Sequence, residues 1–208
     1  MNVLVIGATG PTGREIVRQG VALGHAVTAV VRHPETAALP QGVHVLGGDV
    51  MNAESLVEAV RGQEVVLNSL GSKIDRNPTT LFSQGTRNLL AAMNQNSVRR
   101  LLCITGVGAG DSRGHGGFLY DRIFQPLLLK EIYLDKDRQE AIVRESGVDW
   151  TLVRPGTLTN GPKTGQFRVL SELTGITVGK IARADVAQYL LDHLQDPATF
   201  GKTVNLTY

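Results

Sequence analysis

The sequence predicts an α/β protein built on a doubly wound parallel sheet, one domain over residues 1–208. Two observations predict it. Short runs that are apolar throughout, such as Val3-Leu4-Val5-Ile6 and Val65-Val66-Leu67, fit strands covered on both faces. Helical patterns separate these runs, so successive strands lie parallel through right-handed crossovers.

The elements follow in order. After the strand at Val3–Ile6, residues Thr12 to Leu23 place Gly13, Ile16, Val17, Gly20 and Val21 on one helical face. Ala26 to Val31 reads as the second strand, and Val43 to Leu46 as the third. Ser55 to Val60 is a short helix before the strand at Val65, and Thr80 to Met93 is a long amphipathic one. Leu101 to Thr105 is the fifth strand. Asp135 to Ser146 is a helix closed by Gly147, a residue suited to the left-handed C-terminal position. Trp150 to Val153 is the sixth strand. Asp185 opens a last helix with Val186, Ala187, Leu190, Leu191 and Leu194 on its buried side, and Val204 to Leu206 is the last strand.

Two segments break this rhythm. The glycine-rich stretch 106–117 begins a substrate-side segment reaching to about residue 130. Residues 156–183 hold two alternating stretches, 166–170 and 176–181, which read as a loop and small hairpin over the sheet edge. Loops at the carboxyl ends of the strands of a doubly wound sheet enclose its ligand crevice.

The strongest local signal is Gly7-Ala8-Thr9-Gly10-Pro11-Thr12-Gly13, between the first strand and the first helix. That context makes it a dinucleotide-binding turn of the Rossmann type. Gly7 ends the strand in a tight turn, Gly10 lets the backbone approach a pyrophosphate, and Gly13 lets helix and sheet lie close. The helix N-terminus adds free N–H groups and about half a positive charge. A site for NAD usually has a carboxylate about 20 residues beyond the glycines. Here the second strand ends Val31-Arg32-His33-Pro34. The planar fork of Arg32 suits a 2′-phosphate, so NADP(H) is expected over NAD(H), with Arg14 and His33 as lesser candidates.

Composition narrows the function classes. The 42% hydrophobic content is ordinary for a globular domain, and the net charge of +2 suits neither a nucleic-acid nor a membrane partner. Cys103 is the single cysteine, and Met1-Asn2-Val3 begins no signal peptide, so a cytoplasmic setting is expected. The five histidines show no metal-ligand spacing, and no metal is expected. A small-molecule acceptor and a monomer or small homo-oligomer are the expected partners.

Several further stretches resemble the atypical short-chain dehydrogenase/reductases. They are Gly48-Asp49-Val50, Asn68-Ser69-Leu70-Gly71, Arg144-Glu145-Ser146-Gly147-Val148-Asp149-Trp150-Thr151, Val153-Arg154-Pro155-Gly156 and Arg183-Ala184-Asp185-Val186-Ala187. Within that family the chain is most similar to the NAD(P)H-binding, NmrA-like group that includes flavin and biliverdin reductases. The resemblance implies that Asp49 and Val50 lie beside the adenine. It places Ser69, Leu70 and Gly71 along the coenzyme, Thr105 and Gly106 near the nicotinamide, and Pro155, Gly156 and Thr157 across from them. Asp49 also suits a turn, and Ser69 and Gly71 suit a strand-to-loop turn.

Typical members carry Tyr-x-x-x-Lys with a serine, the lysine tuning the tyrosine as general acid. Lys136 falls at the lysine position and Thr105 at the serine position, but Ile132 stands where the tyrosine would be. Tyr133 is its neighbour, turned about 100° away on a helix. Lys136 reads either as a ribose ligand or as part of a solvated charged face, Asp135-Lys136-Asp137-Arg138. Thr105 reads as a polar contact to substrate or nicotinamide, or as a hydroxyl bound to nearby backbone. Flavins and tetrapyrroles accept hydride with protonation from solvent, so NADPH-dependent reduction of a conjugated acceptor suits a site without the tyrosine. A non-catalytic NADP(H) sensor of the NmrA-like kind is the alternative. Phe118, Tyr120 and Phe124 read primarily as core packing, His115 as a solvated loop residue, and Cys103 as a buried small hydrophobe.

Overall fold

The computed structural model describes residues 1–208. Its elements run β1 (Asn2–Ile6), α1 (Pro11–Ala22), β2 (Ala26–Val31), β3 (His44–Gly47), α2 (Ala53–Val60), β4 (Val65–Asn68), α3 (Leu81–Gln95) and β5 (Arg100–Ile104). They continue α4 (Lys130–Arg144), β6 (Asp149–Pro155), β7 (Thr157–Thr159), β8 (Arg168–Leu170), β9 (Lys180–Ala182), α5 (Arg183–Asp192) and β10 (Lys202–Thr207). No helix is long and apolar enough to cross a membrane.

Eight strands form one sheet in the order β3-β2-β1-β4-β5-β6-β10-β8. Every pairing is parallel except β10 with β8. The order reverses between β1 and β4, which opens a crevice at their carboxyl ends. The apolar strands serve two cores. Val3, Val5, Val65 and Leu67 pack beneath α1 and α5, while Leu4, Ile6, Val66 and Leu101 pack beneath α2, α3 and α4. Alternate residues of one strand feed opposite layers, which is why these strands are apolar throughout.

The two stretches read as a hairpin do not pair with each other. Arg168–Leu170 extends the main sheet antiparallel to β10, and Lys180–Ala182 pairs parallel with Thr157–Thr159. Each found a partner strand already in place at the edge, a choice that local alternation cannot encode.

The helix before Gly147 is longer than its sequence pattern indicates. A wide π-type helix, Tyr120–Leu129, runs directly into α4. The core-packing expectation fails for two aromatics here: Phe118 is 75% exposed and Phe124 45%. Tyr120 alone turns inward, its hydroxyl 2.6 Å from that of Tyr133. His115 is likewise not free in solvent. Its Nδ1 lies 2.9 Å from the Ile176 carbonyl, and its own carbonyl accepts from Val178 N–H, which ties the glycine-rich loop to the segment before β9.

Helix α3 receives its cap from another helix. Thr80 makes no side-chain cap bond, whereas Asp135 of α4 accepts from Phe82 N–H at 2.8 Å, Ser83 N–H at 3.2 Å and the Ser83 hydroxyl at 2.5 Å. The carboxylate satisfies otherwise unpaired amides and faces the positive helix end.

Candidate functional site

A cleft of about 640 Å³ lies at the carboxyl ends of β1, β2, β4 and β5. Its floor is the glycine turn. Gly7 holds φ +79°, and a Cβ there would lie 2.5 Å from the Ser69 carbonyl oxygen. Both facts require glycine. A Cβ on Gly13 would collide with the Gly7 carbonyl oxygen, so the α1 backbone packs directly on the turn. Gly10 precedes the helix with no side-chain cap, leaving the first-turn amides toward the cleft.

The cleft gathers most of the predicted residues. Gly7, Thr9, Gly10, Pro11 and Thr12 line it, with Arg32, Asp49, Val50, Ser69, Leu70, Gly71, Thr105 and Lys136. Gly13 lies beneath the turn. Gly106 is turned elsewhere, and a Cβ there would lie 3.0 Å from the Tyr133 hydroxyl. Pro155, Gly156 and Thr157 do not reach the cleft. Pro155 is buried in β6, Thr157 is exposed, and the bare Gly156 packs against the Gly179 backbone. Leu158 and Arg183 form that wall instead.

Arg32 makes no hydrogen bond or ion pair within the protein, so its guanidinium is free at the cleft wall. His33 faces Glu35 at 3.5 Å on the surface, and Arg14 donates to the carbonyls of Thr9 and Ala38. Asp49 accepts from Met51 N–H at 2.9 Å, a turn contact, and still borders the cleft. The Ser69 hydroxyl donates to the Ile6 carbonyl at 2.8 Å, bracing the ends of β1 and β4.

The charged run on α4 is not a solvated face. Asp135 is fully buried and Lys136 is 9% exposed, while Asp137 and Arg138 point outward. Lys136 Nζ donates to the Thr105 carbonyl at 2.5 Å and sits 4.9 Å from the centre of the Phe82 ring. Burial pushes its ammonium down to about 8, against the pull of Cys103, Glu140 and Asp135.

The Thr105 hydroxyl neither meets nearby backbone nor points freely into the cleft. It donates to Glu140 Oε1 at 2.7 Å. Glu140 is fully buried and also receives Arg154 at 2.8 and 2.6 Å and Arg144 at 2.9 Å. Burial alone would raise its carboxyl, but the Arg154 bonds outweigh it and hold the group below its ordinary value. Arg154 reaches on to Asp111 at 2.5 Å, pinning the glycine-rich loop. Sequence reasoning missed this network. Arg144 and Arg154 lie within the resemblance motifs, but Glu140 and Asp111 do not, and only the fold shows that β6 aims Arg154 at α4.

Tyr133 and Ile132 both border the cleft. The Tyr133 phenol is bound to Tyr120, and burial raises it well above its ordinary value, with Tyr120 adding to the effect. Cys103 is buried in β5, and burial pushes its thiol up to about 12.

Comparison with known proteins agrees with this geometry. The NAD(P)H-binding family matches residues 7–197. A protein of Bacillus subtilis described as the sugar epimerase YhfK is 26% identical over the whole chain, which spans 94% of that relative. Among solved structures, ChuY, an anaerobilin reductase of Escherichia coli O157:H7, superimposes with a TM-score of 0.85 at 23% identity, covering 100% of this chain and 97% of its own. A short-chain dehydrogenase/reductase of Veillonella parvula, in complex with NADP, superimposes with a TM-score of 0.82 at 17% identity, covering 100% and 94%.

Proposed function

The chain belongs to the NAD(P)H-binding family, and from that premise we propose that it is an NADPH-dependent reductase of a conjugated acceptor such as a flavin, tetrapyrrole or quinone. The observation that supports this most is the apolar character of the cleft beyond the glycine turn. Phe82, Ile104, Leu129, Ile132 and Leu158 line it, and counting along the sequence puts Ile132 where the proton-donating tyrosine would stand. The residues suit the coenzyme: the turn has bare backbone where a diphosphate needs it, and Arg32 is unpaired where a 2′-phosphate would lie. When bound, a dihydronicotinamide supplies the hydride.

The chain's own part is positioning. The amides of α1 hold the diphosphate, Arg32 selects the phosphorylated ribose, and Lys136 is placed to donate to the nicotinamide ribose. Thr105 has committed its proton to Glu140, so it can accept a hydrogen bond but not donate a proton to substrate. Tyr133 is unfit as the acid for a similar reason, being raised by burial and engaged by Tyr120. Oxidation of a sugar alcohol needs a positioned base and reduction of the ketone a positioned acid, so the epimerase description of YhfK fits this cleft less well than reduction of an acceptor that takes its proton from water. Among proteins of this fold, the reductase activity in ChuY's description supports the same reading.

The test is NADPH oxidation followed at 340 nm with FMN, riboflavin, biliverdin and quinones. Turnover with at least one supports the reductase. Tight NADPH binding without turnover on any of them supports the sensor.

A further inference from the structure

Arg183 is a cleft residue with no role so far. It is the first residue of α5, and its side chain lines the same cavity as Thr9, Pro11 and Thr12. Its Nη1 donates to Asn160 Oδ1 at 2.7 Å, a neutral partner that fixes the guanidinium without cancelling its charge. The nearby carboxylate that could neutralise it is occupied. Asp185 is fully buried and accepts from Thr164 N–H, Gly165 N–H, the Thr164 hydroxyl and the Tyr208 hydroxyl. Those bonds hold the strap after β7 against α5, and Asn160 lies on that strap.

The placement follows from helix packing. Helices α1 and α5 lie side by side under the sheet, and Gln19 of α1 donates to the Ala184 carbonyl at 2.8 Å. Arg183 directly precedes Ala184 and lines the cleft together with Pro11 and Thr12. A dinucleotide brings two negative charges to that point. The α1 N-terminus offers about half a positive charge, and its first turn contains no basic residue except Arg14, which is bound to the Thr9 and Ala38 carbonyls.

We propose that Arg183 clamps the coenzyme diphosphate from the α5 side, opposite the amides of the glycine turn, with Asn160 as its positioning residue. The assignment rests on coenzyme binding and not on the class of acceptor. It makes the segment between β7 and α5 part of the coenzyme site, where sequence resemblance had placed Pro155, Gly156 and Thr157.

The experiment titrates the whole protein and its Arg183→Gln variant with NADP+, NAD+ and 2′-AMP by calorimetry. A diphosphate clamp serves both dinucleotides alike. Arg183→Gln is expected to raise the Kd of NADP+ and NAD+ by the same factor, about tenfold or more, and to leave 2′-AMP unchanged. Arg183→Lys is expected to recover part of the loss, and an unchanged thermal midpoint shows that the fold is intact. Unchanged dinucleotide affinity overturns the proposal, as does a loss confined to NADP+ or one shared by 2′-AMP. A raised acceptor KM with unaltered coenzyme Kd also overturns it and reassigns the guanidinium to the acceptor.

Discussion

Replacing Lys136 with methionine should make the protein more stable and less able to hold its coenzyme. The ammonium is buried and titrates at about 8 instead of its ordinary 10.5. At 1.36 kcal/mol per pH unit, that gap means the folded protein carries a charged lysine at a penalty of ~3 kcal/mol below pH 8. Methionine keeps the volume and removes the charge. It also leaves the Thr105 carbonyl without its donor, which costs about 1 kcal/mol. The net expectation is ~2 kcal/mol of added stability at pH 7, or a rise of about 4–8 °C in a domain of this size.

The sign depends on pH in a defined window. Below pH 8 lysine is charged in both folded and unfolded states, so the penalty is constant and full. Between 8 and 10.5 the unfolded chain binds more protons than the folded one, so wild-type stability rises with pH relative to the variant. Calorimetric unfolding of both proteins from pH 6 to 9.5 would show the gap shrinking above 8. A variant that melts lower than wild type at pH 7, or a gap flat across the range, would refute the reasoning. Coenzyme titration supplies the second half: a polyanion favours the charged lysine, so wild-type NADP+ affinity should fall as pH climbs past 8, and the variant's should not.

Three further outcomes are expected. Arg32→Glu should weaken NADPH by on the order of tenfold to a hundredfold and NADH much less, read by paired titrations; equal losses would remove Arg32 from the 2′-phosphate. Arg154→Met removes the two guanidinium bonds that reach the buried Glu140 carboxylate from β6, leaving Arg144 and the Thr105 hydroxyl, and should cost roughly 3 kcal/mol in urea unfolding at pH 7. Because Glu140 is held below its ordinary 4.5, that pairing stabilises the fold fully above pH 4.5 and is lost as pH falls through the depressed value, so the two proteins should converge in acid. Thr105→Val removes the proton donated to Glu140 but no acid from the cleft, so with a flavin acceptor kcat should drop only a few-fold; a loss of a thousandfold or more would mean that the hydroxyl serves as the proton source.

The sequence made local features legible and long-range ones obscure. The glycine turn could be read because strand, turn and helix are contiguous and each glycine answers to nearby backbone, as the Gly7 φ of +79° shows. Arg32 could be read because strand length fixes where β2 ends. Lys136 was placed by spacing, but its burial was not, since α4 carries charged residues on a face covered by α3 and β5. The edge strands were misjudged because Arg168–Leu170 and Lys180–Ala182 take partners from β10 and β7, far away in the chain. Leu158 and Arg183 replaced the Pro155-Gly156-Thr157 wall for a related reason. The β7–β9 pairing decides which side chains face inward, and nothing within either segment announces that pairing.

Asp135 and Lys136 are consecutive on one helix, yet the first holds the start of α3 and the second the wall of the cleft. The chain between Gly71 and Thr80 hangs from that same α3 terminus and carries Ser72, Lys73 and Ile74 at the cleft mouth. One peptide link therefore joins the residue that caps the segment leading to the cleft mouth to the residue that lines the cleft beside Thr105, so a backbone shift at either position is felt at both.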